Sequence, residues 1–321
     1  DALGANTTGG KNTALGYEAL GANTTANDNI AVGYEALEEN TTGTRNLGIG
    51  NYALAAVSTG DDNVALGHGA LSECTVSDNT AVGSYSLVAN TTGTNNVAVG
   101  YFALNANTTG ANNTAVGYHA LLASTTASGN TAHGAYCLRA NTTGGYNVAV
   151  GYFNLVASNS TGNVAVGNQV LENLTSGDYN VGVGYKCLNA TTTGRLNVSM
   201  GIDAVRYTTT GSLNTGLGSR ALYQNTTGND NTAVGVWTLD ANTTGSHNVG
   251  VGVSAFVSNT TGGYSVAVGA YALDANTTGA SNTAVGMNAL GANTTASFNT
   301  AVGNSALQLN TTGASNTAVG R

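Results

Sequence analysis

Apolar and polar positions return in one fixed order along this chain. With Asn113 taken as phase one, the consensus is N-T-A-V-G-Y-x-A-L-x-A-N-T-T-G-x-x, and Asn113 to Tyr118 is a perfect copy of its opening. The glycine at phase five recurs nineteen times, from Gly16 and Gly33 to Gly303 and Gly320, at a spacing of seventeen broken by two intervals of sixteen. A fixed period of this length marks a solenoid, in which one supersecondary unit stacks on the next.

Within the period, phases two and four carry β-branched residues, as in Val97 and Val99, Ile30 and Val32. Alternation with period two predicts a short strand, and apolar residues on alternate positions predict that these two phases face the core. Phase three between them is Ala, or Gly or Ser as at Gly48, Gly182 and Ser199, and is expected on the outer face. Phase nine, mostly Leu, supplies a second core column. The segment Y-x-A-L predicts a further extended piece, and A-N-T-T-G-x-x a return loop of turn formers.

Two other columns are nearly invariant across the copies. Gly at phase five is where the strand turns a corner and needs positive φ or close approach to a neighbour. Asn at phase one, replaced only by Ser265, predicts an internal ladder of stacked amides. Helix is a poor alternative, because Gly and Asn-Thr-Thr recur too often.

Composition sharpens this picture. Gly is 46 of 321 residues, Pro is absent and there is no three-residue period, which excludes collagen, and the 7% of charged residues argues against a charge-expanded disordered chain. The apolar 41% can fill a long, thin core. We therefore expect residues 1–321 to form a single continuous solenoid of about nineteen coils without caps, Asp1 entering at phase seven and Arg321 leaving at phase six. A second copy would continue the pattern without a slip. The net charge of −8 has no basic cluster, which argues against nucleic acid, and no apolar run reaches a membrane-spanning length. Charges such as Glu18, Glu35, Glu38, Glu39, Asp61, Asp62 and Arg139 fall at phases that should face water. Cys137 and Cys187 share a phase but lie three coils apart, about 14 Å at roughly 4.8 Å per coil, beyond disulfide reach. Three unpaired thiols are expected.

The motif N-T-A-V-G-Y-x-A-L, with its N-T-T-G spacer, resembles the head repeats of trimeric autotransporter adhesins. It is still more similar to repeats in tail-fibre and surface-fibre proteins of phages and bacteria. The resemblance covers the whole chain, which departs from the adhesin heads in its longer period. It implies an all-β, parallel β-solenoid, a left-handed β-roll, assembled as a homotrimer, with the Ala columns at phases three and eight allowing close approach of chains. No stalk or anchor accompanies the repeats, so attachment machinery is not carried over.

Catalytic chemistry needs unlike groups converging, and this array offers like groups at intervals. His68, His119, His133 and His247 occupy four different phases, so metal-ligand spacing is missing. His133 reads as a polar replacement of a core Val. We expect no enzyme, cofactor or metal. Two columns are candidates for recognition. Phase seven holds Tyr52, Tyr85, Phe102, Tyr136, Phe153, Trp237 and Tyr271, aromatics that can stack on glycans or bury against a partner chain. Phase twelve places Asn-Thr-Thr sequons on a predicted surface turn at Asn6, Asn23, Asn40, Asn90, Asn107, Asn141, Asn225, Asn242, Asn259, Asn276, Asn293 and Asn310, which are candidate glycosylation sites.

The expected role is a non-enzymatic, rigid extracellular fibre or filament, a surface or virion appendage whose partner is itself, by head-to-tail continuation or trimerisation. An adhesin binding surface glycans is the alternative. An ice-binding solenoid is weaker, because the Thr pairs fall in a loop rather than on a flat strand.

Overall fold

The structure is a computed structural model that describes all residues, Asp1 to Arg321. It is an all-β, parallel β-solenoid with nineteen short strands and no helix. The chain divides into two compact units, Asp1–Thr161 and Gly162–Arg321. The first holds the strands from Thr13–Leu15 to Val148–Tyr152, the second those from Val164–Asn168 to Thr317–Val319. Within each unit, strands pair in parallel with the same phase one coil on, as Val97, Ala98 and Val99 with Thr114, Ala115 and Val116, or Thr232 with Val249. The sixteen-residue coil keeps this register, Val64 pairing with Thr80, so its missing residue is absorbed by the return loop.

The strands face the opposite way from the expectation drawn from their apolar pattern. Phase three is the buried position: Ala98, Ala115, Ala233 and Ala267 are fully buried, while Val97 is 37% exposed and Val99 half-buried. The alternation is real, but the coil interior is too narrow for two Val columns. Its cross-section is filled by Ala at phases three and eight and Leu at phase nine. Size compensation shows how tight this is. Val170 and Thr238 replace the usual Ala at phase eight, and each faces a phase-three glycine one coil on. A Cβ at Gly182 would collide with Val170 Cγ1, and one at Gly250 would lie 2.6 Å from Thr238 Cγ2. Gly216 is matched in the same way to Val205, whose β-branch replaces Leu at phase nine. His133, at phase four, is correspondingly exposed rather than a core substitution.

Y-x-A-L is not a second strand. It forms a turn in which phases seven and nine adopt left-handed backbone, for example His119 at φ 55° and Leu121 at φ 51°. Such a conformation costs an L-residue on the order of 1 kcal/mol. Burying the Leu side chain contributes about 1.5–3 kcal/mol against it. The turn is also cross-linked between coils, Leu104 N–H donating to Ala120 C=O at 2.9 Å. The signal for this turn is the glycine before it. Gly117 has φ +135°, and a Cβ there would lie 2.7 Å from the carbonyl carbon and oxygen of Gly134 in the next coil.

The predicted amide ladder at phase one is present, and a second runs beside it at phase twelve. Asn113 N–H donates to Asn96 Oδ1 at 3.0 Å, and Asn113 Nδ2 reaches Ala127 C=O at 2.8 Å across the coil. In the second column Asn107 Nδ2 donates to Asn90 Oδ1 at 2.9 Å. The two columns meet at phase fifteen, where the Gly110 carbonyl accepts from both Asn96 Nδ2 and Asn107 Nδ2 at 2.9 and 3.0 Å. A Cβ on Gly110 would strike Ala127 C=O and Asn107 Oδ1, although Ala26, Ala127 and Ala296 take the same phase in other coils. Where the second column changes residue it leaves gaps: Asn107 Oδ1 and Ser124 Oγ both lack a partner, the serine being too short to bridge one coil. Thr at phase thirteen adds a third ladder, Thr226 Oγ1 donating to Thr243 C=O at 3.0 Å.

Candidate functional site

The sequon asparagines do not lie on a surface turn. All twelve except Asn6 and Asn310 are fully buried, their amides forming the inner ladder. The Nδ2 that a glycan would occupy is already donating, as Asn242 Nδ2 does to Asn225 Oδ1 at 2.8 Å and to Gly245 C=O at 2.9 Å. N-T-T-G is thus read by the fold as an inward amide followed by an outward Thr pair. Half of that pair is itself engaged, since the phase-thirteen hydroxyl donates to the next coil. The Ala columns at phases three and eight, expected between chains, are likewise interior.

The phase-seven aromatics separate into two groups. In the first unit, Tyr52, Tyr85, Phe102, Tyr136 and Phe153 join phase-six residues in a continuous run of ring contacts from Tyr17 to Phe153. Tyr17 stacks on Tyr34 at 5.2 Å between ring centroids, Tyr52 meets His68 edge-on at 5.8 Å, and Tyr101 stacks on Tyr118 at 5.9 Å. Rings stacked on one another present edges to solvent and use their faces internally. The left-handed turn makes this possible by projecting phases six and seven from every coil at one corner. Trp237 and Tyr271 in the second unit are 48% and 46% exposed and make no ring contact. His119 lies within the stack, and burial together with Arg139 lowers its pKa.

Two clusters of unlike or charged groups were not singled out by the repeat. Near the first coils, the carboxylates of Glu18, Glu35 and Glu38 come within 4.8 Å of one another. Burial and the neighbouring carboxylates push the Glu38 carboxyl up, and a hydrogen bond to Glu35 pushes the Tyr34 hydroxyl up to about 12. Three such groups could meet a divalent cation, but exposed acids stacked by a repeat arise without one.

The second cluster lies at phases seven, ten and eleven of the second unit. Arg220 makes a bidentate pair with Asp240, both bonds 2.9 Å, and its guanidinium sits 4.3 Å from the Tyr223 ring centroid. One coil earlier Arg206 pairs with Asp203 at 3.1 Å and lies 5.1 Å from the centre of the Tyr207 ring. Tyr207 and Tyr223 meet edge to face at 5.0 Å. Their mutual hydrogen bond raises the Tyr223 pKa, and burial raises that of Asp240 despite its arginine. A groove of about 500 Å³ opens beside them, lined by Ala190, Tyr207, Thr209, Tyr223, Gln224, Thr226 and Thr243. The available signal was a departure from consensus: Tyr207 and Gln224 replace the Ala common at phase eleven.

Cys74, Cys137 and Cys187 are free and buried. Cys137 and Cys187 take the place of Ala at phase eight, and Cys74 the place of Asn in the second ladder, where it accepts from Asn90 Nδ2 at 3.8 Å. Burial pushes the Cys137 thiol up to about 11 and raises the other two. Because the thiolate is the reactive species, no cysteine should react with dithionitrobenzoate in the folded chain at neutral pH, and all three should react in denaturant. A thiol titrating rapidly in the native state would show that its coil is open.

No helix is long and apolar enough to cross a membrane. No protein-family model matches the chain, and no curated protein matches it in sequence.

Proposed function

We propose that this chain is a structural, non-enzymatic fibre element, an extracellular appendage that associates with further copies of itself. The observation that carries the reading is the outward face of the parallel sheet. Phases two and four set Val, Thr, Ile and Leu in two straight columns in each unit, with Ile30, Leu66, Val97, Val198 and Met200 among the residues exposed. A regularly ribbed face with apolar residues exposed on it favours association, and a second copy offers ribs at the same spacing. Support also comes from the interior, where amide, hydroxyl and backbone ladders along the stacking direction resist separation of coils. The contact surface proposed for self-association is therefore the Val columns, not the Ala columns.

Sedimentation equilibrium across the micromolar range tests this, with electron microscopy of the same samples. The chain should associate, and Val116→Lys combined with Val234→Lys should shift it to monomer with unchanged circular dichroism, because both side chains point outward. A chain that stays monomeric at high concentration, or association indifferent to both lysines, would remove the reading. A second reading, adhesion to surface glycans, draws on Trp237 and Tyr271, the two phase-seven aromatics of the second unit, each about half exposed.

A further inference from the structure

We infer that the groove beside Tyr207 and Tyr223 is a binding site for a neutral saccharide. This goes beyond the fibre reading and does not depend on it, nor on the phase-seven aromatics.

The groove is one of the places where the array stops repeating itself. Across three successive coils, phases ten and eleven carry Asn189 and Ala190, Arg206 and Tyr207, then Tyr223 and Gln224, so one small residue is followed by two large ones. The step creates a concave floor at Ala190 with an aromatic wall. Its volume of about 500 Å³ falls within the range of small-molecule sites, roughly 300–1,000 Å³.

The lining selects the chemistry. Tyr207 is 41% exposed and Tyr223 half-buried, and they meet at 76°, which leaves ring surface turned to the groove. A flat apolar ring is matched by the C–H face of a sugar. Opposite the rings, Thr209, Thr226 and Thr243 each donate a hydroxyl proton to the next coil's carbonyl, at 3.2, 3.0 and 3.0 Å, so each oxygen is left with lone pairs to accept. The Gln224 amide, on an exposed side chain, offers both a donor and an acceptor. A ligand with an apolar face and a rim of hydroxyls satisfies this set. Charge is balanced at the groove: Arg206 pairs with Asp203 through Nη1 alone, its buried Nε lacking a partner, and Arg220 pairs with Asp240 through two bonds, each guanidinium also held against a tyrosine. These pairs brace the rings and leave no net charge for an acidic sugar. Planar anchors held by their neighbours bind at low entropic cost.

Saturation-transfer NMR on the full chain, with cellobiose, lactose and mannobiose as neutral probes and sialyllactose as the acidic one, tests the site. At least one neutral probe should bind, and Tyr223→Ala should weaken it about tenfold, the loss typical of a central aromatic anchor. Gln224→Ala, at an exposed position, should weaken it several-fold while preserving the fold, which keeps the test decisive if Tyr223→Ala unfolds. Phe298→Ala, an exposed aromatic that does not line the groove, should leave binding unchanged. Absence of binding by all three neutral probes at millimolar concentration, preference for sialyllactose, or affinity that survives both Gln224→Ala and Tyr207→Ala would overturn the inference. A monomer that binds sugar would leave it standing and remove the fibre reading instead.

Discussion

Gly117→Ala is expected to destabilise the first unit by about 3 kcal/mol or more. Two costs add. The φ of +135° lies where L side chains are rarely found, and the new Cβ would sit 2.7 Å from the Gly134 carbonyl carbon and oxygen. Neither contact is with a flexible side chain, so the coils themselves must part. Because a solenoid can open locally, native-state hydrogen exchange is the sharper measurement than a melting curve. The Gly134 amide, which donates to Val116 C=O at 2.7 Å, should lose protection, while amides of distant coils such as Thr24 keep theirs. A change within about 0.5 kcal/mol, the range of an ordinary surface substitution, would mean that the corner does not pack as described.

Asn113→Ala should cost about 3–5 kcal/mol. The side chain serves four buried groups: it accepts Asn130 N–H at 3.0 Å and Asn130 Nδ2 at 3.3 Å, and donates to Asn96 Oδ1 at 3.2 Å and Ala127 C=O at 2.8 Å. Each buried group left unpaired costs about 1–3 kcal/mol. Asn113→Ser should cost roughly half as much, because the chain already carries that change once. Ser265 Oγ accepts Asn282 N–H at 3.1 Å, keeping the ladder's backbone link while giving up the amide's reach across the coil. Urea unfolding of the two variants beside the parent chain checks the order, and an alanine as well tolerated as serine would show that the backbone link adds no measurable stability.

Much of the architecture was legible from periodicity. The strand at phases two to four, the corner at Gly117, the Asn113 ladder and the unpaired cysteines all follow from residues that recur at fixed phase. What misled was the assumption that β-branched residues mark the inner face. Val97 and Val99 are larger and more apolar than Ala98, and in a sandwich they would be the buried pair. Here Ala98 is inside, sharing a thin interior with the buried Ala103 and Leu104, and the small residues at its phase leave room for them. Asn107 is held in the same interior, its amide sharing the Gly110 carbonyl with Asn96 and reaching Asn90 Oδ1 one coil back. A sequon and an interior ladder residue are therefore spelled identically, as Asn-Thr-Thr, and only burial distinguishes them. The groove at Tyr207 and Tyr223 was obscured for a different reason. Its residues depart from consensus singly, and their convergence depends on stacking coils whose residues are seventeen apart.

The sequence by itself determined that this protein is a stack of like coils in parallel register, since a seventeen-residue period with a glycine at one phase permits little else. Which side of each strand meets the core was decided by the tertiary structure. Alternation defines two faces but not their sense, and the width of the closed coil, set by the left-handed turn at phases seven and nine, admits only the smaller one.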